Sequence, residues 1–170
     1  MNSDLDYVVA LHRTESSALG FIPAPSIQRR YLDTGDHEWV VDGHGNRRGY
    51  LLHGPARWGQ PLHIIQTCVE PDYRLRHYAA AAVERIAEKA RLAGCTEIRL
   101  RCALDLPANS FWLAIGFYLL QFTVGGHSTG RTIAEYWRPI LQSPRIAPVA
   151  ILLPCVHLEP IASPTPPTRS

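Results

Sequence analysis

Residues 62–79 read LHIIQTCVEPDYRLRHYA, and the organisation of the chain turns on how this stretch divides. Its first part, LHIIQTCV, is a nearly continuous apolar run of the kind found in a central strand buried on both faces. From about Tyr73 to Ala93 the pattern becomes helical. Ala79, Ala80, Val83, Ile86, Ala87 and Ala90 share one stripe, Glu84, Arg85, Glu88, Lys89 and Arg91 face outward, and Gly94 supplies the stop. Arg74, Arg76 and His77 therefore fall at a strand–helix junction. A helix N-terminus already carries unpaired amides and a partial positive charge, so added basic side chains call for an anion in the gap. A phosphate fits that requirement, although the glycines that usually let one approach the backbone are missing.

Beyond the helix, TEIRLRC reads as an alternating strand, predicted to lie parallel to 62–69 and to be joined to it right-handedly through the helix. Asp105 offers an N-cap, Pro107 opens a short helix over PANSFWLAI, and Gly116 closes it. FYLLQFTV and RTIAEYW are two more strands joined by GGHSTG. On the N-terminal side, HEWVVDGHGNRRGYLLHG reads as a hairpin turning at Gly43, Gly45 and Asn46. A short helix is expected from Ser26 to Leu32, and DYVVALH is read as a strand. The sum is an α/β fold with mixed strand directions. From Pro139 onward prolines recur every few residues, which sets a globular unit, 1–140, apart from a Pro-rich extension, 141–170, whose end is expected to be disordered.

Composition narrows the function classes. A chain of 170 residues with 46% hydrophobic and 19% charged content is expected to form one ordinary globular domain. A net charge of +2 argues against nucleic-acid binding by bulk electrostatics. The acidic N-terminus does not resemble a signal peptide and no apolar run approaches the ~20 residues of a membrane span, so a cytoplasmic protein is expected. Cys68, Cys95, Cys102 and Cys155 show no metal or disulfide spacing. His53 and His63 face each other across a predicted hairpin without a third ligand, so no metal site is expected. Cys68 has no base in sequence to activate it and reads as a buried structural thiol. The glycine-rich loop ending at Arg131 lacks the following helix of a P-loop and reads as a hairpin loop.

Two motifs together carry a family likeness. The pattern V-x-P-x-x-R-x-x-x-x-A (Val69, Pro71, Arg74, Ala79) is followed by a long helix, a strand and then ANSFWLAIGF, with Trp112 four residues before Gly116-Phe117. This order resembles the Gcn5-related N-acetyltransferases over roughly residues 5–138, with the sharp motifs inside 62–117. The resemblance implies a mostly antiparallel central sheet splayed between two parallel strands, with helices on both faces, as in acyl-CoA N-acyltransferases. It implies acetyl-CoA as co-substrate, lying where the strands at 62–69 and 96–102 part. The backbone of Thr67, Cys68 and Val69 would hold the pantetheine arm and polarise the thioester carbonyl. The pyrophosphate would rest on the amides of Leu75, Arg76, His77, Tyr78, Ala79 and Ala80, with Arg74 and Arg76 adding charge-assisted bonds.

The departures from the family pattern are equally specific. Leu75 and His77 stand where the family usually has glycine, which is tolerated if those backbone angles remain helical. Trp112 aligns with a phenol that often acts as general acid, and Arg101 with a frequent glutamate base. The catalytic residues are thus unassigned, with Glu70 and Tyr136 the nearest guesses for a base acting through water. The implied activity is acetyl transfer to an amine of a small molecule or protein, with His127 and Arg131 bordering the acceptor site. A coenzyme-binding or protein-interaction module that kept the fold and lost the chemistry is an alternative, and a base-modifying relative a weaker one. Homodimerisation stays open.

Overall fold

The computed structural model describes residues 3–125 and 130–140. The chain opens with a helix, α1 (Asp4–Thr14), where the sequence suggested a strand. Val8 and Val9 favour extended backbone, but a capping box outweighs them: Ser3 accepts from the Asp6 amide and Asp6 accepts from the Ser3 amide. Val8, Leu11 and His12 are then buried on one helical face. Short helices α2 (Ser16–Leu19) and α3 (Ala24–Ile27) follow, and a π-turn over Gln28–Leu32 completes the predicted short helix.

The hairpin is β1 (His37–Val41) and β2 (Arg47–His53), closed by Asp42, whose carboxylate accepts from the amides of His44 and Asn46. Next come β3 (Leu62–Val69), α4 (Tyr78–Leu92), β4 (Glu97–Ala103), α5 (Ala108–Ala114), β5 (Tyr118–Val124) and β6 (Thr132–Pro139). The six strands lie in the order β1-β2-β3-β4-β6-β5, every neighbouring pair antiparallel except β3–β4, which is parallel. Losing the expected first strand to α1 leaves six strands without changing this central arrangement. The Pro-rich extension and the tip of the β5–β6 loop lie outside the described residues.

Each face of the sheet has its own core. On one side Val83, Ile86 and Ala90 of α4 and Trp112 of α5 pack on Leu51, Leu62, Ile98 and Leu100. On the other, Val8 and Leu11 of α1 with Ile27 and Tyr31 pack on Tyr50, Leu52 and Cys68. β3 is central in the sheet, yet it is not buried on both faces as the sequence suggested. Its burial alternates, with Leu62, Ile64, Gln66 and Cys68 buried and His63 and Ile65 exposed. Asp105 does not cap α5 either. Its carboxylate takes a forked pair of bonds from Arg131, at 2.8 and 2.9 Å, and Pro107 stands at the helix start instead.

His53, at the end of β2, is fully buried. Its Nδ1–H donates to Gly54 O at 2.6 Å, which leaves Nε2 to accept from the Lys89 ammonium at 3.3 Å. Burial, and then the neighbouring ammonium, push its pKa below the ordinary value. The unfolded chain therefore binds a proton at this ring before the folded chain does, and stability falls as pH drops below about 6.5. Urea unfolding at pH 7 and pH 5 should show a loss that His53→Gln reduces, with a limiting slope of about 1.4 kcal/mol per pH unit for one proton.

Candidate active site

The parallel pairing of β3 and β4 covers only Leu62–Ile98, His63–Arg99 and Ile64–Leu100. Beyond it the strands separate, while β4 stays paired with β6 as far as Ala103–Ile133. The separation has a local cause. Opposite β2, the register jumps from Leu52–Gln66 to His53–Ile64, leaving Ile65 as an extra residue in β3. Such a bulge bends a strand and raises its twist, and here it turns β3 away from β4.

Past the bulge, β3 has one free edge. The Glu70 amide donates to Arg48 O, so by the alternation of an antiparallel ladder Thr67 and Val69 turn their backbone groups to the opening. The Thr67 hydroxyl is buried and, among the described residues, has no hydrogen-bond partner. Nearly all buried polar groups are satisfied, so an unpaired hydroxyl beside a free strand edge fits a ligand that carries amides. Cys68 points the other way, into the α1 core, and burial pushes its thiol up to about 12. It stays protonated near neutral pH and is no nucleophile.

After β3 the chain makes a 3₁₀ turn (Pro71–Tyr73), and α4 begins only at Tyr78, five residues later than the sequence suggested. Residues 74–77 are loop. Leu75 (φ 58°) and His77 (φ 62°) both adopt the left-handed conformation, so the helical angles expected of them are not kept. This conformation costs a non-glycine residue roughly 1–2 kcal/mol. Both side chains are exposed, which leaves the inner side of the loop to backbone N–H groups. The first helical bond is Ala81 N–H to His77 O, so the amides of Tyr78, Ala79 and Ala80 precede the helical ladder.

The two arginines of the loop diverge. Arg74 turns inward, its Nε–H donating to Val69 O at 3.0 Å and its Nη2 lying 2.6 Å from Glu15. Arg76 stays exposed with its guanidinium 5.6 Å from the Tyr73 ring, and it makes no ion pair among the described residues. The Arg74–Glu15 pair joins residues far apart in the chain, has no signature in sequence, and links this loop to the start of α2.

Among the described residues, no side chain is placed as an obvious acid or base in the opening. Trp112 is buried, meets Phe111 and Phe117 edge-on at 4.9 and 5.5 Å, and donates to the Cys102 thiol. Tyr136 is buried on the same side, its hydroxyl donating to Asn109 Oδ1 at 2.8 Å, and burial raises its pKa. Glu70 directly follows β3 and accepts from the Tyr7 hydroxyl at 2.8 Å. Burial, then this carboxylate, raise the Tyr7 pKa. Arg131 is held by Asp105 and also donates to Ser17 O at 3.0 Å, and His127 lies outside the described residues. No cluster of metal-ligating side chains forms among the described residues.

Residues 6–117 match the model of the acetyltransferase (GNAT) family. The chain belongs to this family. Its members transfer acetyl groups from acetyl-CoA to amines. The fold is similar to Arabidopsis thaliana NAA60 solved with a bisubstrate analogue, at TM-score 0.69 and 17% identity over 82% of this chain and 94% of that one. Ard1 from Thermoplasma volcanium aligns at TM-score 0.65 and 15% identity, covering 84% and 97% of the two chains. An aminoglycoside 6'-N-acetyltransferase complexed with coenzyme A aligns at TM-score 0.64 and 12% identity over 82% and 92%. A search of the curated proteins finds no match.

Glycine at either left-handed position removes the steric penalty of a Cβ. Leu75→Gly and His77→Gly should each raise stability by up to about 1 kcal/mol, read from the urea midpoint, because the freed strain outweighs the entropy of an added glycine. Unchanged or lowered midpoints for both would show that the loop relaxes out of this conformation.

Proposed function

We propose that this acetyltransferase binds acetyl-CoA along the free edge of β3, with the thioester at the closed end of the opening beside Ile65. The unpaired Thr67 hydroxyl is the observation that carries this reading. It lies beside backbone groups of Thr67 and Val69 that face the opening, and with Cys68 between them they supply one edge of a two-stranded pairing. The pyrophosphate rests on the amides from Leu75 to Ala80, where loop N–H groups and the start of α4 converge. Arg76 and His77, both exposed, donate to phosphate oxygens, whereas Arg74 holds the loop against β3.

The coenzyme supplies an acetyl group activated as a thioester. A neutral amine entering from the α1 side bonds through its lone pair to the acetyl carbon. The carbon–sulfur bond breaks, the sulfur leaves with the electron pair, and the nitrogen gives its surplus proton to water. Trp112 and Tyr136 are committed to the core, so catalysis rests on positioning and on backbone amides directed at the carbonyl oxygen. The rate then rises with pH toward the acceptor's own pKa. In the same reading the acceptor is an amine of a small molecule or protein, and nucleic acid is not a partner, as the net charge of +2 supports. The reduced thiols of Cys68 and Cys102 suit a cytoplasmic location. The uncharged edge strand β5 suits pairing with a second copy.

Thr67→Val tests the coenzyme site, because it removes the hydroxyl and preserves shape. Calorimetric titration with desulfo-coenzyme A should show affinity lowered by about three- to tenfold. Stability of the free protein should hold or rise, since a buried unpaired hydroxyl is lost. Unchanged affinity would remove Thr67 from the site.

A further inference from the structure

Arg101 is the first residue of β4 beyond its last pair with β3, and it is exposed. Its side chain lies on the face opposite the buried Leu100 and Cys102, the α1 face, from which the acceptor approaches in the reading proposed above. The neighbouring charges there are already matched. Arg99 lies 2.6 Å from Glu97 and 3.9 Å from Glu135, and Glu135 also accepts from Gln121 at 2.7 Å. Glu135 is the cross-strand neighbour of Arg101, yet no ion pair joins them. Arg101 donates a single bond, from Nη2 to Thr123 Oγ1 at 3.2 Å, and among the described residues it meets no carboxylate. A guanidinium has five N–H donors in a planar fork, so among the described residues most of this fork is unused.

Resting on the coenzyme placement above, we propose that Arg101 anchors an anionic group of the acceptor, so that the enzyme acetylates amines bearing a carboxylate or similar anion. Strands lie about 4.8 Å apart. The guanidinium leans across β6 toward Thr123 on β5, so an anion seated on it lies roughly 5–10 Å from an amine at the opening. That span fits a short amino acid or an N-terminal dipeptide with an acidic side chain. The same cation disfavours the ammonium form of the acceptor and favours the neutral amine that reacts. It thereby meets part of the need for a base that the site lacks. A polycationic amine is repelled.

The test uses matched acceptors differing only in charge: the C-terminally amidated dipeptides Ala-Asp-amide against Ala-Asn-amide and Ala-Glu-amide against Ala-Gln-amide, and γ-aminobutyrate against its amide, with spermidine as the polycation. Acetyl transfer is followed by release of coenzyme A thiol, and kcat/KM is compared within each pair at equal fractions of neutral amine. The wild type should favour the carboxylate member of the pairs it uses by about ten- to hundredfold. Arg101→Gln should bring those ratios close to one, and Arg101→Lys should keep part of the preference. Affinity for desulfo-coenzyme A, measured by calorimetry, should be the same in all three proteins. Loss of that affinity in the wild type would defeat the coenzyme placement itself and the proposal with it. With coenzyme binding intact, the proposal is overturned if the amide members or spermidine are preferred, if Arg101→Gln leaves the ratios unchanged, or if no carboxylate acceptor is acetylated.

Discussion

The structure depends on one interrupted contact, the parallel pairing of β3 and β4 that stops at Ile64–Leu100. A parallel pair in the middle of a sheet would ordinarily satisfy all its backbone groups. Here the extra residue at Ile65 bends β3 and leaves its far edge without a strand partner, while β4 keeps its full ladder with β6. A gap in the centre of a sheet is tolerable because each flank has its own core. α4 and α5 support one face, and α1 and α3 the other. In the proposed reading, coenzyme binding completes the sheet, so that the energetic deficit of the free protein becomes part of the affinity for its ligand.

The same logic extends to the loop after β3. Its shape puts two residues in the left-handed region, and the chain places Leu75 and His77 there instead of glycine. Their side chains project into solvent, so the inner surface of amides survives, at the cost of backbone strain. Arg74 compensates from within, bridging Val69 O and Glu15 and so fastening the loop to both β3 and the start of α2. Arg74 thus shapes the loop, and in the proposed reading Arg76 is left to meet the ligand.

Much of this was legible in the sequence because local signals and tertiary packing agree. The alanine-rich helix and TEIRLRC carry hydrophobic periods that match their elements, and LHIIQTCV is a central strand, as its apolar run suggests, although its burial alternates. The failures have physical reasons. DYVVALH contains β-branched residues, but the reciprocal Ser3–Asp6 cap and the burial of Val8 and Leu11 decide for helix. The start of α4 was misplaced because only glycine advertises a left-handed conformation, and here none is present. Asp105 resembled a cap until Arg131, distant in sequence, claimed its carboxylate. The bulge at Ile65 and the unpaired Thr67 hydroxyl are properties of strand register, which composition does not encode.

The central claim is that the free edge of β3 and the loop after it are the binding surface for coenzyme A. Residue-resolved hydrogen–deuterium exchange with and without desulfo-coenzyme A tests it most directly, because unpaired amides exchange fast until a ligand takes them. The account predicts slowed exchange at Thr67 or Val69 and across Leu75 to Ala80 on binding, with the amides of β1 and β2 unchanged. Protection confined to another part of the surface, or none on β3 at a saturating coenzyme concentration, would contradict it.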